Sequence, residues 1–140
     1  MHRVLPLTFY FLSALFISRS DIRYRVIRNR DSLAFFLLGV ILNCKRYTLN
    51  GFIPLILITL ICLGLHLAFR GKIGAGDLKL FWVIWFWTFS FTNWLEGLTL
   101  AWVLGGLYAI VHFALNRGDK QKDKSIPFAP FIFLGFLSVI

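Results

Sequence analysis

The sequence predicts an all-α fold, a polytopic transmembrane helix bundle of about six spans with its N-terminus outside. Three observations carry the prediction: the composition, the succession of apolar runs, and the placement of the basic residues. Of 140 residues, 59% are hydrophobic, 18% aromatic and only 15% charged. A soluble domain carries about 25% charged and about 45–50% apolar residues. A chain this short has no interior large enough to hide that surplus from water, so the excess must face lipid.

The apolar runs cover 4–18, 33–44, 52–69, 80–95, 97–115 and 126–140. A spanning helix needs about 20 residues, within a range of about 17–25. The third and fifth runs qualify as they stand, while the first, fourth and sixth must borrow flanking residues. The second reaches Thr48 only if Lys45 and Arg46 snorkel, so five spans with a re-entrant segment is the alternative. Residues 1–18 resemble a secretory signal, but no small-residue cleavage site follows. Five arginines lie behind the run rather than ahead of it, so a retained first helix is expected. The whole of 1–140 reads as one membrane-embedded domain.

Orientation follows from Lys and Arg. Twelve of the fifteen lie in the first, third and fifth connections, among them Arg19, Arg23, Arg25, Arg28 and Arg30. The other connections and the N-terminus hold three, Arg3, Lys45 and Arg46. This asymmetry places the odd-numbered connections in the cytoplasm. It also accounts for the net charge of +9 without nucleic acid as a partner, since no basic face or recognition module accompanies the charge. Cys44 and Cys62 have neither CxxC spacing nor companion ligands and read as small buried hydrophobes. No metal and no cofactor is expected. The aromatic run Phe81 to Phe91, with Trp82, Trp85 and Trp87, reads as a lipid-facing and interfacial belt. Gly105 and Gly106 read as a site of close helix packing. The polar segment 116–125 reads as a mobile cytoplasmic connection.

Six acidic residues exist. Asp119 and Asp123 alternate with lysines in a polar connection. Asp31 stands where it could cap the second helix, and Glu96 falls in a short outer turn, Thr92 to Glu96. Asp21 and Asp77 remain. Asp21 closes the first span and Asp77 opens the fourth, which puts both at the cytoplasmic edge of one leaflet, where ionisable groups are costly and usually functional. Each alone has a structural explanation: Asp21 as a partner for the neighbouring arginines, Asp77 as a helix N-cap. Their common depth and the glycines around Asp77 favour the functional reading. Gly71-Lys72-Ile73 lacks the Ser or Thr of a phosphate loop, and Lys79 stands where a dinucleotide fingerprint needs its third glycine.

Gly74-Ala75-Gly76-Asp77-Leu78-Lys79 resembles the GxGDxK motif of the type IV prepilin peptidases, a family of membrane aspartyl proteases. The segment Asp21 to Asn29 resembles the family's first motif, an aspartate followed after five residues by Ile-Pro-Asn. Arg28 replaces that proline. Ile126-Pro127-Phe128-Ala129-Pro130-Phe131 resembles its C-terminal Pro-Phe-x-Pro segment. The resemblance implies a bacterial inner-membrane, multi-pass endopeptidase that removes the basic leader from prepilins at the cytoplasmic face. Prepilins or pseudopilins would be its substrates, the lipid bilayer its setting, and pilus or secretion assembly machinery a partner. It implies Asp21 and Asp77 as catalytic residues. Gly74, Gly76, Lys79, Asn29, Pro127 and Pro130 would bind substrate or support the motifs. The cysteine-bearing insertion of the longer members, associated with methylation, has no counterpart here, so a short, peptidase-only form is expected.

Paired carboxylates share one proton because both cannot ionise cheaply. One would activate water; the other would hydrogen-bond the developing oxyanion and protonate the leaving amine. Lys79 reads as a headgroup anchor, and His66 and His112 as interfacial helix-end residues. Two other functions fit the sequence less well. A proton-coupled transporter would show mid-membrane polar groups or repeat symmetry, and neither is visible. A catalytically silent assembly partner would have no need of both aspartates.

Overall fold

The computed structural model describes residues 4–44, 52–69, 73–88, 90–115 and 126–140. All its elements are helical: α1 (Val4–Tyr24), α2 (Asn29–Leu42), α3 (Phe52–Ala68), α4 (Ala75–Val83), α5 (Trp85–Thr88), α6 (Phe91–Leu115) and α7 (Ala129–Leu137). The expected connection 116–125, with Lys45 and Arg46 of the second connection, lies outside the described residues.

The helices track the apolar runs, with informative differences at their ends. α1 continues past its apolar run, through Asp21 to Tyr24, and stops where Arg25 turns left-handed at φ 53°. The fourth run does not form one helix. α4 and α5 are separated at Ile84, whose N–H is shared between the Leu80 and Trp82 carbonyls. The chain then reverses near Ser90, earlier than expected. Thr92 to Glu96 is therefore the start of α6 rather than an outer turn, and the Ser90 carbonyl accepts from Trp94 N–H at 2.9 Å. Asp31 sits in the first turn of α2 instead of capping it, since Arg28 is the N-cap residue.

By length and apolarity, Phe91–Leu115 is the one described helix sufficient to cross a membrane alone. Its 25 residues rise about 37 Å, against a hydrocarbon core of about 30 Å. α7, at nine residues, rises only about 14 Å. The sixth expected span is thus a short helix in this fold.

The tryptophans correct the expectation of a lipid-facing belt. Trp85, Trp87 and Trp94 are buried. A buried indole N–H needs an acceptor, and the backbone supplies it: Trp87 Nε1 donates to Phe35 O at 3.3 Å, and Trp94 Nε1 to Phe81 O at 2.8 Å. Trp87 stacks on Phe35, and Tyr10 and Phe133 pack edge-on around them. The Tyr10 hydroxyl donates to Phe133 O at 3.0 Å, tying α1 to α7. Large apolar side chains cover the outside instead, among them Phe16, Ile53, Ile110 and Leu115. An apolar exterior of this extent belongs in lipid. The two cysteines also separate: Cys62 is buried as expected, whereas Cys44 is exposed.

The most intimate seam joins α6 to α7. Gly97, Ala101 and Gly105 recur every fourth residue along one buried face of α6. Gly97 receives the Phe136 ring and Gly105 the Phe128 ring. Between them Gly135 lies on backbone, so that a Cβ there would stand 2.5 Å from Ala101 N and 2.7 Å from Gly97 O. Small residues that let two backbones approach are how helices gain contact in lipid, where apolar burial against the solvent offers little. Of the glycine pair expected to serve this purpose, Gly105 does; Gly106 has open space around it.

Backbone cannot yield as a side chain does, so Gly135→Val should cost at least the about 1–3 kcal/mol typical of overpacking. Gly106→Val should stay well below that. Unfolding of the purified protein in mixed micelles by denaturing detergent reads both, and equal midpoints for the two variants would contradict the seam.

Candidate functional site

The acidic motifs meet where four helix ends converge: the C-terminus of α1 and the N-termini of α2, α4 and α7. Asp21 lies on the same α1 face as Tyr10, Ala14 and Ile17, all buried. That spacing carries the inward face of the helix one turn beyond its apolar run. Asp21 itself is only 7% exposed. Its Oδ2 accepts the N–H of Ala129 at 2.9 Å. The Phe128 backbone and the Arg25 charge also act on this carboxylate. Ala129 opens α7, so its amide is one of the donors that a helix N-terminus leaves without an internal partner. Pro130, in the same first turn, has no N–H to offer and holds φ at a helical value.

Asp77 stands in the first turn of α4, whose N-cap residue is Gly74 rather than Asp77. The Asp77 carboxylate folds back over Gly74, where a Cβ would meet Asp77 Oδ2 at 3.0 Å. Asp77 is half-buried, and the charge of Asp21 acts on it directly. Gly76 is needed for space as well: a Cβ there would stand 3.0 Å from Ile27 Cβ. The backbone at Gly74, φ −59° and ψ 131°, is open to any residue. Both glycines of the motif therefore serve close approach, one to the carboxylate and one to the chain between α1 and α2.

A second contact joins the same two segments. Lys79 Nζ donates to Asn29 Oδ1 at 3.0 Å. Lys79 is exposed but has a protein partner, where a headgroup anchor was expected. Arg28 also finds an explanation. Its φ of −70° and ψ of 136° are angles a proline adopts, so arginine preserves the backbone course at this position. Its guanidinium lies over the Tyr24 ring, 5.6 Å from the centroid.

Asp21, Asp77, Gly74, Gly76, Lys79, Asn29 and Pro130 thus gather at one end of the molecule, with Pro127 just ahead of α7. Sequence reasoning overlooked Ile27, Phe128 and Ala129 as members of this cluster. Ala129 acts through its backbone, which leaves no mark in residue type. Ile27 and Phe128 look like any apolar residue until their glycine partners are seen.

Fold and site define a membrane-associated helical protein that brings two acidic motifs together at one end. The chain belongs to the type IV leader peptidase family, whose model matches residues 8–110. No curated protein and no solved structure matches it significantly. The family match includes both aspartates and stops short of α7.

Two outcomes are expected from this geometry. Arg28→Pro should fold with a stability change within about 1 kcal/mol, the proline gain offsetting the lost cation–ring contact; a larger loss in a micelle unfolding titration would mean that Arg28 does more than hold the backbone. Lys79→Met and Asn29→Leu should be non-additive, with a coupling of about 0.5–1.5 kcal/mol in a double-mutant cycle, as for a single hydrogen bond.

Proposed function

We propose that this protein is an aspartyl endopeptidase that cleaves the basic leader from type IV pilin-like prepilins at the cytoplasmic face of the bacterial inner membrane. Asp21 and Asp77 are its catalytic pair. The observation that carries the reading is their convergence: from separate helices, α1 and α4, they are drawn to one end of the bundle by the approach of Ile27 to Gly76 and the hydrogen bond from Lys79 to Asn29. Membership of the leader peptidase family supports the reaction class. The asymmetry of basic residues supports the cytoplasmic placement and a multi-pass topology with the N-terminus outside.

In the proposed reaction the pair holds one proton between its carboxyl groups. Burial favours the protonated form at both carboxyls; at Asp21 the N–H of Ala129 and the nearby Arg25 charge work against it, so in this reaction the shared proton rests on Asp77. Asp21 then takes a proton from water as the water oxygen attacks the scissile carbonyl. Asp77 donates a hydrogen bond to the carbonyl oxygen as charge develops there. Collapse of the tetrahedral intermediate breaks the C–N bond, and the leaving amine takes up a proton from the pair. The glycines beside Asp77 serve the pair by making room for the Asp77 carboxylate at Gly74 and for Ile27 at Gly76.

Co-expression with candidate prepilins tests the proposal by precursor mobility on a gel. The wild type should shorten the precursor. Asp21→Asn and Asp77→Asn should each lower processing by about 10²–10⁴-fold, the range for loss of general acid–base catalysis, while accumulating normally in the membrane. Normal processing by both variants would show the aspartates to be structural.

A further inference from the structure

The contact between Gly105 and Phe128 lies outside the acidic motifs, yet it bears on both. Phe128 precedes Ala129, whose N–H holds Asp21. The Phe128 carbonyl accepts from Phe131 N–H at 3.0 Å and Ile132 N–H at 3.1 Å, closing the first turn of α7. Its ring enters the space left by Gly105 on α6, where any Cβ would overlap ring atom Cε2. The other side of the ring meets Phe81 edge-on, with centroids 6.3 Å apart. Phe81 is four residues beyond Asp77 on α4, one turn along the same helix face. Phe128 is therefore connected to Asp21 through the next amide and to Asp77 through one helical turn, and Gly105 sets how deep its ring sits.

We infer that Gly105 and Phe128 are positioning residues for the aspartate pair: the socket on α6 fixes the start of α7 and with it the placement of the Asp21 carboxylate relative to Asp77. The inference rests on the proposed peptidase reading for its effect on rate, but the geometry stands apart from it. Misplacing a reacting group by about 1 Å can cost about 10²-fold in rate. A methyl group at position 105 forces the Phe128 ring out by a comparable amount. The far end of the same seam supplies the comparison. There Gly97 receives Phe136, which also meets Phe81, with ring centroids 6.3 Å apart, but stands well along α7 from Ala129 and so adjoins no amide bound to Asp21. Changes at 97 and 105 both loosen the packing of α6 on α7, but only the change at 105 displaces Ala129.

The test uses the full chain, purified in lipid nanodiscs and labelled with ¹⁵N-alanine. The Ala129 amide signal is assigned by its disappearance in Ala129→Ser, and its response to loss of the carboxylate is calibrated with Asp21→Asn. Gly105→Ala is expected to move this signal in the Asp21→Asn direction. It should lower kcat on a prepilin by about 10–10²-fold with little change in KM, the pattern of a lost transition-state arrangement. Phe128→Leu, which only makes the side chain smaller, should move the signal as well. Combined with Gly105→Ala it should return both the signal and kcat towards wild type. Gly97→Ala should lower stability but leave the Ala129 signal in place. The inference is overturned if Gly105→Ala and Phe128→Leu both leave the Ala129 signal where it was, or if Gly97→Ala reproduces their effects. Should Gly105→Ala fail to fold, Phe128→Leu decides. Should the wild type cleave no prepilin, the peptidase reading fails, and the Ala129 signal still decides whether the socket holds Asp21.

Discussion

The hydrogen bond from the Ala129 amide to Asp21 joins the first helix of the chain to the last, at the point where the acidic motifs meet. A carboxylate this deeply buried is costly unless a donor faces it. The donor here comes from the N-terminal end of α7. The proline in the first turn of α7 and its seam against α6 hold that amide in place. The Tyr10 hydroxyl on Phe133 repeats the connection about three turns back along α1 and about one turn along α7, so α1 and α7 are held at two levels by polar contacts.

Glycine performs the complementary task. Gly74 makes room for the Asp77 carboxylate, Gly76 for Ile27, Gly39 for the Trp87 indole, and Gly105 for Phe128. None of these depends on a left-handed backbone; the one described non-glycine residue with positive φ is Arg25. Each glycine is instead the hole for a specific knob. In lipid, where exposing apolar surface carries little penalty, helix association relies on close packing and on satisfied polar groups. The pattern of glycine holes and backbone-bound indoles is how this small bundle meets both demands.

Much of this was legible in the residues. Composition alone required lipid contact, and the apolar runs located α2, α3 and α7 to within about a turn at each end while missing the end of α1 and the starts of α4 and α6. The GxGDxK motif and the Asp21 segment marked the two acidic ends before any contact was known. The errors have physical causes. Trp85 and Trp87 were read with Trp82 as an interfacial belt because Trp is enriched there, but both are buried, and an indole whose N–H finds a carbonyl, as that of Trp87 does, is as well placed inside. The turn between the fourth and fifth runs was placed at Thr92 to Glu96 because those residues are polar. Yet Asn93 spends its side-chain amide on Val139 O, and the Thr92 hydroxyl shares a hydrogen bond with that of Ser90, so polar residues there decorate a helix instead of ending one.

The sequence by itself determined the class of environment, the helical class of the fold and the identity of the acidic residues, because hydropathy and motif spacing are local properties of the chain. The tertiary structure decided which glycines face which side chains, why arginine can stand at position 28, and that α7 supplies the donor for Asp21. Most of those are contacts between separate helices, and the bonds that tie α1 to α7 join residues more than a hundred positions apart. A backbone amide has the same chemistry at every position, so its partner is chosen only when the helices pack.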